Sequence, residues 1–419
     1  MIDPGLAEQV ALLRDRPASP GLAKILSAGT AAIVTGQQPA LGGGPLYTVL
    51  KTAHAVALAR ELTRQGRPCR AVHWVASEDH DLGEAGHADL LSREGRVTRV
   101  QAPWKGPRAA LRHQAAETGH HDLRIALEAT CGPGLGRQFL DQLLPIADED
   151  LGRWQVRWLK ACFPDLLVVQ PQDLRSAGAD TLLRALEGWD HLIPDLLAAG
   201  WTSYFGHPSS PPFFDDLPTG RRAVERTEAR HLLTQEPQRV STGAGLRPVL
   251  QQATLPVLAY VGGPGEIAYH QALAPLFRTL ELPAPYLIPR MRAILAPSWY
   301  LRGCLDWGMD PQSPVMPISK PPPDAALASL QQTMEIMAGR EDLRGSRARL
   351  ARIYAQLSRR QTRRAHPTSA GALIAWAHPR EAPQDRVLSC WQAWWEWGPG
   401  LAERLISAAG SPTPCLIRP

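Results

Sequence analysis

No two cysteines in this chain stand as C-x-x-C, and all six (Cys69, Cys131, Cys162, Cys304, Cys390 and Cys415) lie far apart. That spacing excludes the disulfide frameworks of small secreted domains and predicts reduced thiols in a cytosol. No run of about 18 apolar residues is present, so no membrane-spanning helix is expected. Met1–Pro17 carries Asp3, Glu8, Arg14, Asp15 and Arg16 and lacks the apolar centre of a signal peptide; a cytoplasmic protein is expected. Charge of one sign is scarce too. Lys and Arg number 45 against 40 Asp and Glu, leaving +5 over 419 residues. That is too little to mark a nucleic-acid surface, and it is compatible with small anionic substrates.

What is plentiful is apolar material (44%), with 39 prolines and 13 tryptophans. The length allows two or three domains, or one large core with insertions. Proline-rich Pro311–Pro323 reads as a stiff connector and sets the expected organisation. Residues 1–310 form the core with helical insertions and 324–366 a helical arm. Residues 367–419 form a helical tail packing back on the core.

Periodicity gives the fold class. Ala31–Val34 is a short apolar run, as in a buried parallel strand; a glycine loop follows, then helical periodicity over Leu46–Arg64 and a second apolar run over Ala71–Ala76. Strand, loop, helix, strand is one βαβ unit of a parallel α/β sheet. Arg96–Gln101 alternates like a half-buried strand, and Arg112–Leu144 reads as helix broken at 132–134. Leu151–Cys162 is a helix, Leu166–Gln170 a strand, and Ala177–Gly200 a helix broken near Pro194. A second unit opens with the strand 255–261, the loop Gly262–Gly265, a helix from Glu266 to about Leu280 and a strand over Pro285–Pro289. The arm breaks at Gly339 and Gly345, and its many arginines are consistent with a solvated or dimerising helix. Trp391, Trp394 and Trp395 recur at helical spacing, which predicts core packing rather than ligand stacking.

Chemistry concentrates in three places. The first loop offers Gly36, Gln37, Gln38, Gly43 and Gly44 before a helix whose first turns carry Tyr47, Thr48 and Lys51. Glycines ahead of a helix let backbone N–H groups approach a phosphate or carboxylate. The spacing is neither a Walker loop nor G-x-G-x-x-G, and a tight turn alone would ask for the same residues. Lys51 is either a phosphate partner or a solvated lysine. The second place is Glu78, Asp79, His80 and Asp81, with Glu84 and His87, just past the carboxyl end of a parallel strand, where such sheets place ligands. Acids and imidazoles this dense suit proton transfer or a divalent cation; the competing reading is a capped loop. A dedicated zinc site is disfavoured, and no metal is assigned from spacing. The third place holds Gly262, Gly263, Glu266, Tyr269 and His270, with Arg290 after the next strand. Glu266 there either binds or complements the helix dipole, and Arg290 either forks onto an anion or makes a structural ion pair.

These stretches together resemble the cysteine ligases of bacillithiol biosynthesis. The resemblance is carried by Thr35–Pro39 with Gly43–Thr48 and Lys51, and by Trp74–Asp81 with Glu84 and His87. It continues through Arg247-Pro248, Gln251, Ala259–Tyr269, Pro289-Arg290 and Pro383–Leu388. It departs at Ala40, Gly42, Gly83, Gly86 and His270, which leaves room for a different acceptor amine or amino acid. The resemblance implies a Rossmann-type core with helical insertions and a coiled-coil arm that dimerises. It also implies a reaction, joining the carboxyl of cysteine to the amine of glucosaminyl-malate.

A free carboxylate is a poor electrophile, so ATP, with Mg2+ as its companion, is expected from mechanism rather than from a nucleotide motif. The anion-binding loop would hold the phosphates, and the 78–87 cluster would take the proton from the attacking amine. Two other readings stand beside this one. One is an adenylating or nucleotidyl-transferring enzyme on the same core; the other is a non-catalytic binding protein using the arginine-rich arm.

Overall fold

The computed structural model describes residues 3–104, 109–314, 325–365, 368–410 and 415–418. It contains two compact units. One comprises Met1–Leu90, Thr98–Ala293 and Asp385–Ile417; the other comprises Leu91–Val97, Ile294–Gln384 and Arg418–Pro419.

The first unit is built on five parallel strands: β1 (Ala31–Gln37), β2 (Cys69–Val75), β3 (Leu167–Val169), β4 (Val257–Gly262) and β5 (Tyr286–Pro289). Their spatial order is β5-β4-β1-β2-β3. Chain direction across the sheet therefore reverses between β1 and β4, the switch point at which open α/β sheets leave a crevice. This is a Rossmann-like α/β fold.

Side-chain alternation divides the sheet into two faces. Ala32 and Val34 of β1, with Val72 and Trp74 of β2, join a buried cluster that includes Leu182, Trp189 and Leu250. Those partners come from the helices Arg175–Glu187, Trp189–Ala198 and Arg247–Thr254. Helix α1 (Tyr47–Arg64) packs on β1 and β2 and against the tail helix Leu401–Ser407. Every residue from Thr48 to Ala59 is buried, so α1 is wrapped on all sides rather than amphipathic. The tail tryptophans pack as expected: Trp391, Trp394 and Trp395 are fully buried, and Trp394 meets Trp158 edge-on at 5.7 Å.

Several elements differ from expectation. The break expected near Pro194 falls at Gly188, and Pro194 lies inside the helix Trp189–Ala198. The helix expected from Glu266 to Leu280 is two, α2 (Pro264–Gln271) and a short helix Ala274–Thr279 with Pro275 in its first turn. Proline supplies no N–H to the preceding turn, so it starts a helix more easily than it continues one. A three-stranded antiparallel sheet, Phe213–Leu217, Gly220–Ala223 and Val240–Thr242, was not foreseen.

In the second unit, helix Ser298–Trp307 packs on helix Ala370–Ala377, with Trp299 edge-on to Trp376 at 5.0 Å. The arm consists of helices Ala325–Ile336 and Arg344–Ala365, packed together, with Tyr354 Oη donating to Gln331 Oε1 at 3.2 Å. Gly339 breaks it at φ +84, whereas Gly345 lies inside the longer helix. The expected connector lies outside the described residues from position 315 onward.

Candidate functional site

At the switch point the carboxyl ends of β1, β2 and β4 open into a cleft of about 550 Å³, within the usual range for small-molecule sites. Gly36, the last residue but one of β1, lies opposite Trp74 of β2. A Cβ at Gly36 would lie 2.8 Å from the Trp74 carbonyl oxygen, so only glycine lets the two strands approach this closely.

Lys51 and Glu266 cross the switch point. Lys51 stands on α1, one helical turn past Tyr47, and is buried; Glu266 stands in the first turn of α2. The Lys51 ammonium donates to Gly36 O at 2.6 Å, Gln37 Oε1 at 2.8 Å and both Glu266 oxygens at 2.9 and 3.1 Å. Glu266 also accepts from Tyr260 Oη at 2.8 Å and from the Gly263 amide at 2.7 Å. Burial alone would raise the Glu266 carboxyl, but the Lys51 charge and the Gly263 amide outweigh it and hold the group below the usual range. Burial pushes the Lys51 ammonium down, and the Glu266 charge opposes it.

Both cationic features expected to meet an anion are thus already committed. The α2 amide and Lys51 take Glu266. Arg290 takes Asp385, at 2.7 Å, and the Met291 carbonyl, at 3.0 Å. Arg247 and Arg386 also line the cleft. The nearest carboxylate contact of Arg247, to Asp79, is 3.9 Å, longer than a hydrogen bond.

The expected acidic cluster is divided by the fold. Asp79, Glu84 and His87 line the cleft; Glu78, His80 and Asp81 are not among its lining residues. Glu78 is fully buried and pairs with Arg175 Nε at 2.7 Å, while Arg175 also grips Asp216 at 2.6 Å. Asp81 caps the short helix Leu82–Ala85 by accepting from the Glu84 amide at 3.0 Å. Asp79 accepts from the His80 and Asp81 amides. Glu84 accepts from Tyr47 Oη at 3.2 Å, and that oxygen accepts from Gln37 Nε2 at the same distance. Burial first, and the Glu84 charge second, hold the Tyr47 hydroxyl protonated far above its ordinary range. His87 Nδ1 lies 2.8 Å from the Gly83 carbonyl. A carbonyl only accepts, so Nδ1 is the donor, which in the neutral ring leaves Nε2 as the acceptor.

Among the loop candidates, Gly36, Gln37, Gln38, Tyr47, Lys51, Gly263, Glu266, Tyr269 and Arg290 line the cleft; Gly43, Gly44, Thr48 and Gly262 do not. Gly43 serves packing: it has φ +77, and a Cβ there would meet the Trp158 ring at 2.6 Å. Sequence reasoning did not place Trp74, Arg247 and Arg386 in the site, although all three carry the family resemblance; His270, weighed with Glu266 and Tyr269, does line the cleft. His270 stands one helical turn beyond Glu266 and shares its face. Arg247 opens a helix whose pattern had not been recognised. Among the described residues no three His, Cys, Asp or Glu side chains are grouped to hold a metal, and no helix is long and apolar enough to cross a membrane.

Comparison with known proteins returns one family model, described as "Bacillithiol biosynthesis BshC, N-terminal Rossmann-like domain", matching residues 6–133 and 216–291. Three similar curated proteins all carry the name "Putative cysteine ligase BshC". The protein from Koribacter versatilis is 28% identical, with 97% of this chain and 89% of the relative aligned. That from Solibacter usitatus is 30% identical over 68% of this chain and 59% of the relative. That from Geobacillus kaustophilus is 31% identical over 65% and 57%. Against the last two, the match therefore spans less than two thirds of the relative's length.

Proposed function

We propose that this chain, which belongs to the BshC family of bacillithiol biosynthesis, is a carbon–nitrogen ligase joining the carboxyl of cysteine to the amine of glucosaminyl-malate or a related amine. One observation carries the reading. Every lining residue of the cleft except Arg386 falls within the two stretches, 6–133 and 216–291, that match the family model.

The cleft supplies the pieces that amide formation needs. The attacking amine must lose a proton before or as it bonds to carbon. His87 offers a free Nε2 for that proton, because Gly83 fixes its tautomer. Glu84 and Asp79 line the same cleft. Tyr47, kept protonated, holds Glu84 and Gln37 in place. The Lys51–Glu266 pair keeps the two loops at a fixed spacing, so the reacting groups meet in a preorganised site.

ATP is the activating co-substrate this reaction calls for, and it would supply the phosphoryl or adenylyl group that makes a carboxylate electrophilic. Arg386 is the lining cation for its phosphates, since Lys51 and Arg290 have internal partners. Magnesium typically comes with substrate phosphates and one or two carboxylates; Asp79 and Glu84 are the lining carboxylates for that role. We place the reaction in the cytoplasm, with the arm serving a homodimer.

The test is incubation with glucosaminyl-malate, cysteine and ATP, followed by mass spectrometry for the amide and for AMP against ADP. A cysteinyl amide is expected. No amide with any amino acid in a panel would overturn the reading.

A further inference from the structure

Four side chains of the cleft hold nitrogens that are buried and have no hydrogen-bond partner: Gln38 Nε2, Trp74 Nε1, Arg247 Nε and both ring nitrogens of His270. Gln38 is 7% exposed, Trp74 1% and His270 4%. Buried polar groups are nearly always satisfied, so several orphans lining one cavity call for a ligand. Unpartnered buried nitrogens also occur away from the cleft, at Gln155, His73, Trp158, Trp391, Trp394 and Trp397, but among the described residues only those of the cleft gather around a cavity.

The types of these groups define what is missing. A primary amide nitrogen, an indole nitrogen and a guanidinium Nε only donate. Three donors, one of them cationic, ask for an anion with several acceptor oxygens, and a guanidinium fits the planar fork of a carboxylate. Of the other lining cations, Lys51 is answered by Glu266 and Arg290 by Asp385, and Arg386 is left for the phosphates of the ligase reading.

His270 adds a second requirement. Its ring is stacked on Tyr260 at 4.5 Å and on Tyr269 at 5.0 Å, near-parallel to both. Two rings fix the imidazole plane, and burial keeps it uncharged, with its pKa pushed down to about 4. A neutral imidazole offers one donor and one acceptor in fixed directions. A hydroxyl or an amine satisfies it; a methylene does not.

We propose that Gln38, Trp74, Arg247 and His270 form a carboxylate-recognition subsite. Arg247, Trp74 and Gln38 take the oxyanion, and His270 selects ligands bearing a second polar group beside it. Naming the carboxylate's source rests on the ligase reading above: the amino acid or the malyl end of the acceptor.

The test is calorimetric titration of the full chain with L-malate, L-cysteine and ATP in separate arms, on the wild type and on Arg247→Gln, His270→Phe and His270→Gln. At least one carboxylate is expected to bind. Arg247→Gln should weaken it by about tenfold or more, the loss of one charged hydrogen bond. His270→Phe should weaken the same ligand by about fivefold, and His270→Gln, which restores a donor and an acceptor, should recover most of that.

The proposal is overturned if neither carboxylate binds, if the variants bind it unchanged while melting like the wild type, or if only ATP is weakened. A variant that melts early is replaced in the comparison by Trp74→Phe, which removes one donor and keeps the ring. Failure of this subsite stays separable from failure of the ligase reading. Intact carboxylate binding with no amide product removes the ligase alone; amide product with unaffected binding in the variants removes the subsite alone.

Discussion

Lys51 and Glu266 stand 215 positions apart in the chain and meet at 2.9 Å, across the point where the sheet changes direction. Each belongs to a different strand–loop–helix unit, so this one ion pair latches the two halves of the cleft. Removing one partner leaves the other charge buried without compensation, which typically costs about 3–5 kcal/mol. Lys51→Met is therefore expected to lower the urea midpoint strongly. Lys51→Met/Glu266→Gln together should lower it less than the two single losses summed. Additive losses in that cycle would mean the two charges are not coupled.

The acidic cluster should separate by function. Glu78→Gln breaks a buried pair with Arg175 and should cost stability on the scale of about 3 kcal/mol. Asp79→Asn retains an oxygen for the His80 and Asp81 amides and should melt within a few degrees of the wild type. His87→Phe should melt normally and lose kcat by a factor of about 10² or more, the usual share of a proton acceptor. If the His87 variant forms amide at the wild-type rate, the proton acceptor is another group.

Acid should unfold the protein through its histidines before its carboxylates. Burial depresses His54 and His270 to about 4 and His73 and His120 to about 3. Each group's folded pKa lies below its unfolded value of about 6.5. Below pH 6.5 the unfolded chain therefore binds protons that the folded chain refuses, and stability falls as pH drops. The slope is up to about 1.4 kcal/mol per pH unit for each histidine. Urea midpoints measured from pH 7 to pH 5 should decline, and His120→Phe should flatten the decline by about one proton. A midpoint that stays level over that interval contradicts the assignment.

Glycines of similar appearance should behave differently. At Gly43 an alanine meets both positive φ and the Trp158 ring at 2.6 Å. The expected loss is about 2–5 kcal/mol from left-handed strain and overpacking together. At Gly265, in the first turn of α2, nothing lies within 4 Å of a built Cβ. Gly265→Ala should leave stability unchanged or slightly raise it. Equal melting of the two variants would show that the first loop is not packed as described.

Much of the core was legible because buried parallel strands write themselves as short apolar runs. Ala31–Val34 marked the first half of β1 and 71–76 all of β2 but its first two residues, and the glycine loops after β1 and β4 marked where a ligand site belongs. The antiparallel sheet over 213–242 was not legible. Its strand Phe213–Leu217 carries Asp215 and Asp216, which face Arg222 and Arg221 on the next strand. Asp215 pairs with Arg222 across the strands and Asp216 with the distant Arg112 and Arg175, and strands whose carboxylates are answered by arginines show no apolar alternation to follow.

The sequence by itself determined that two strand–loop–helix units exist and that acids, amides and glycines cluster at their loops, because these are properties of neighbouring residues. Which of those groups remain free for a ligand was decided only by the tertiary structure. Glu78 is claimed by Arg175, Lys51 by Glu266 and Arg290 by Asp385, each partner at least 95 positions away. A charge is free or committed according to what packs against it, and that is fixed by the order of strands in the sheet rather than by spacing along the chain.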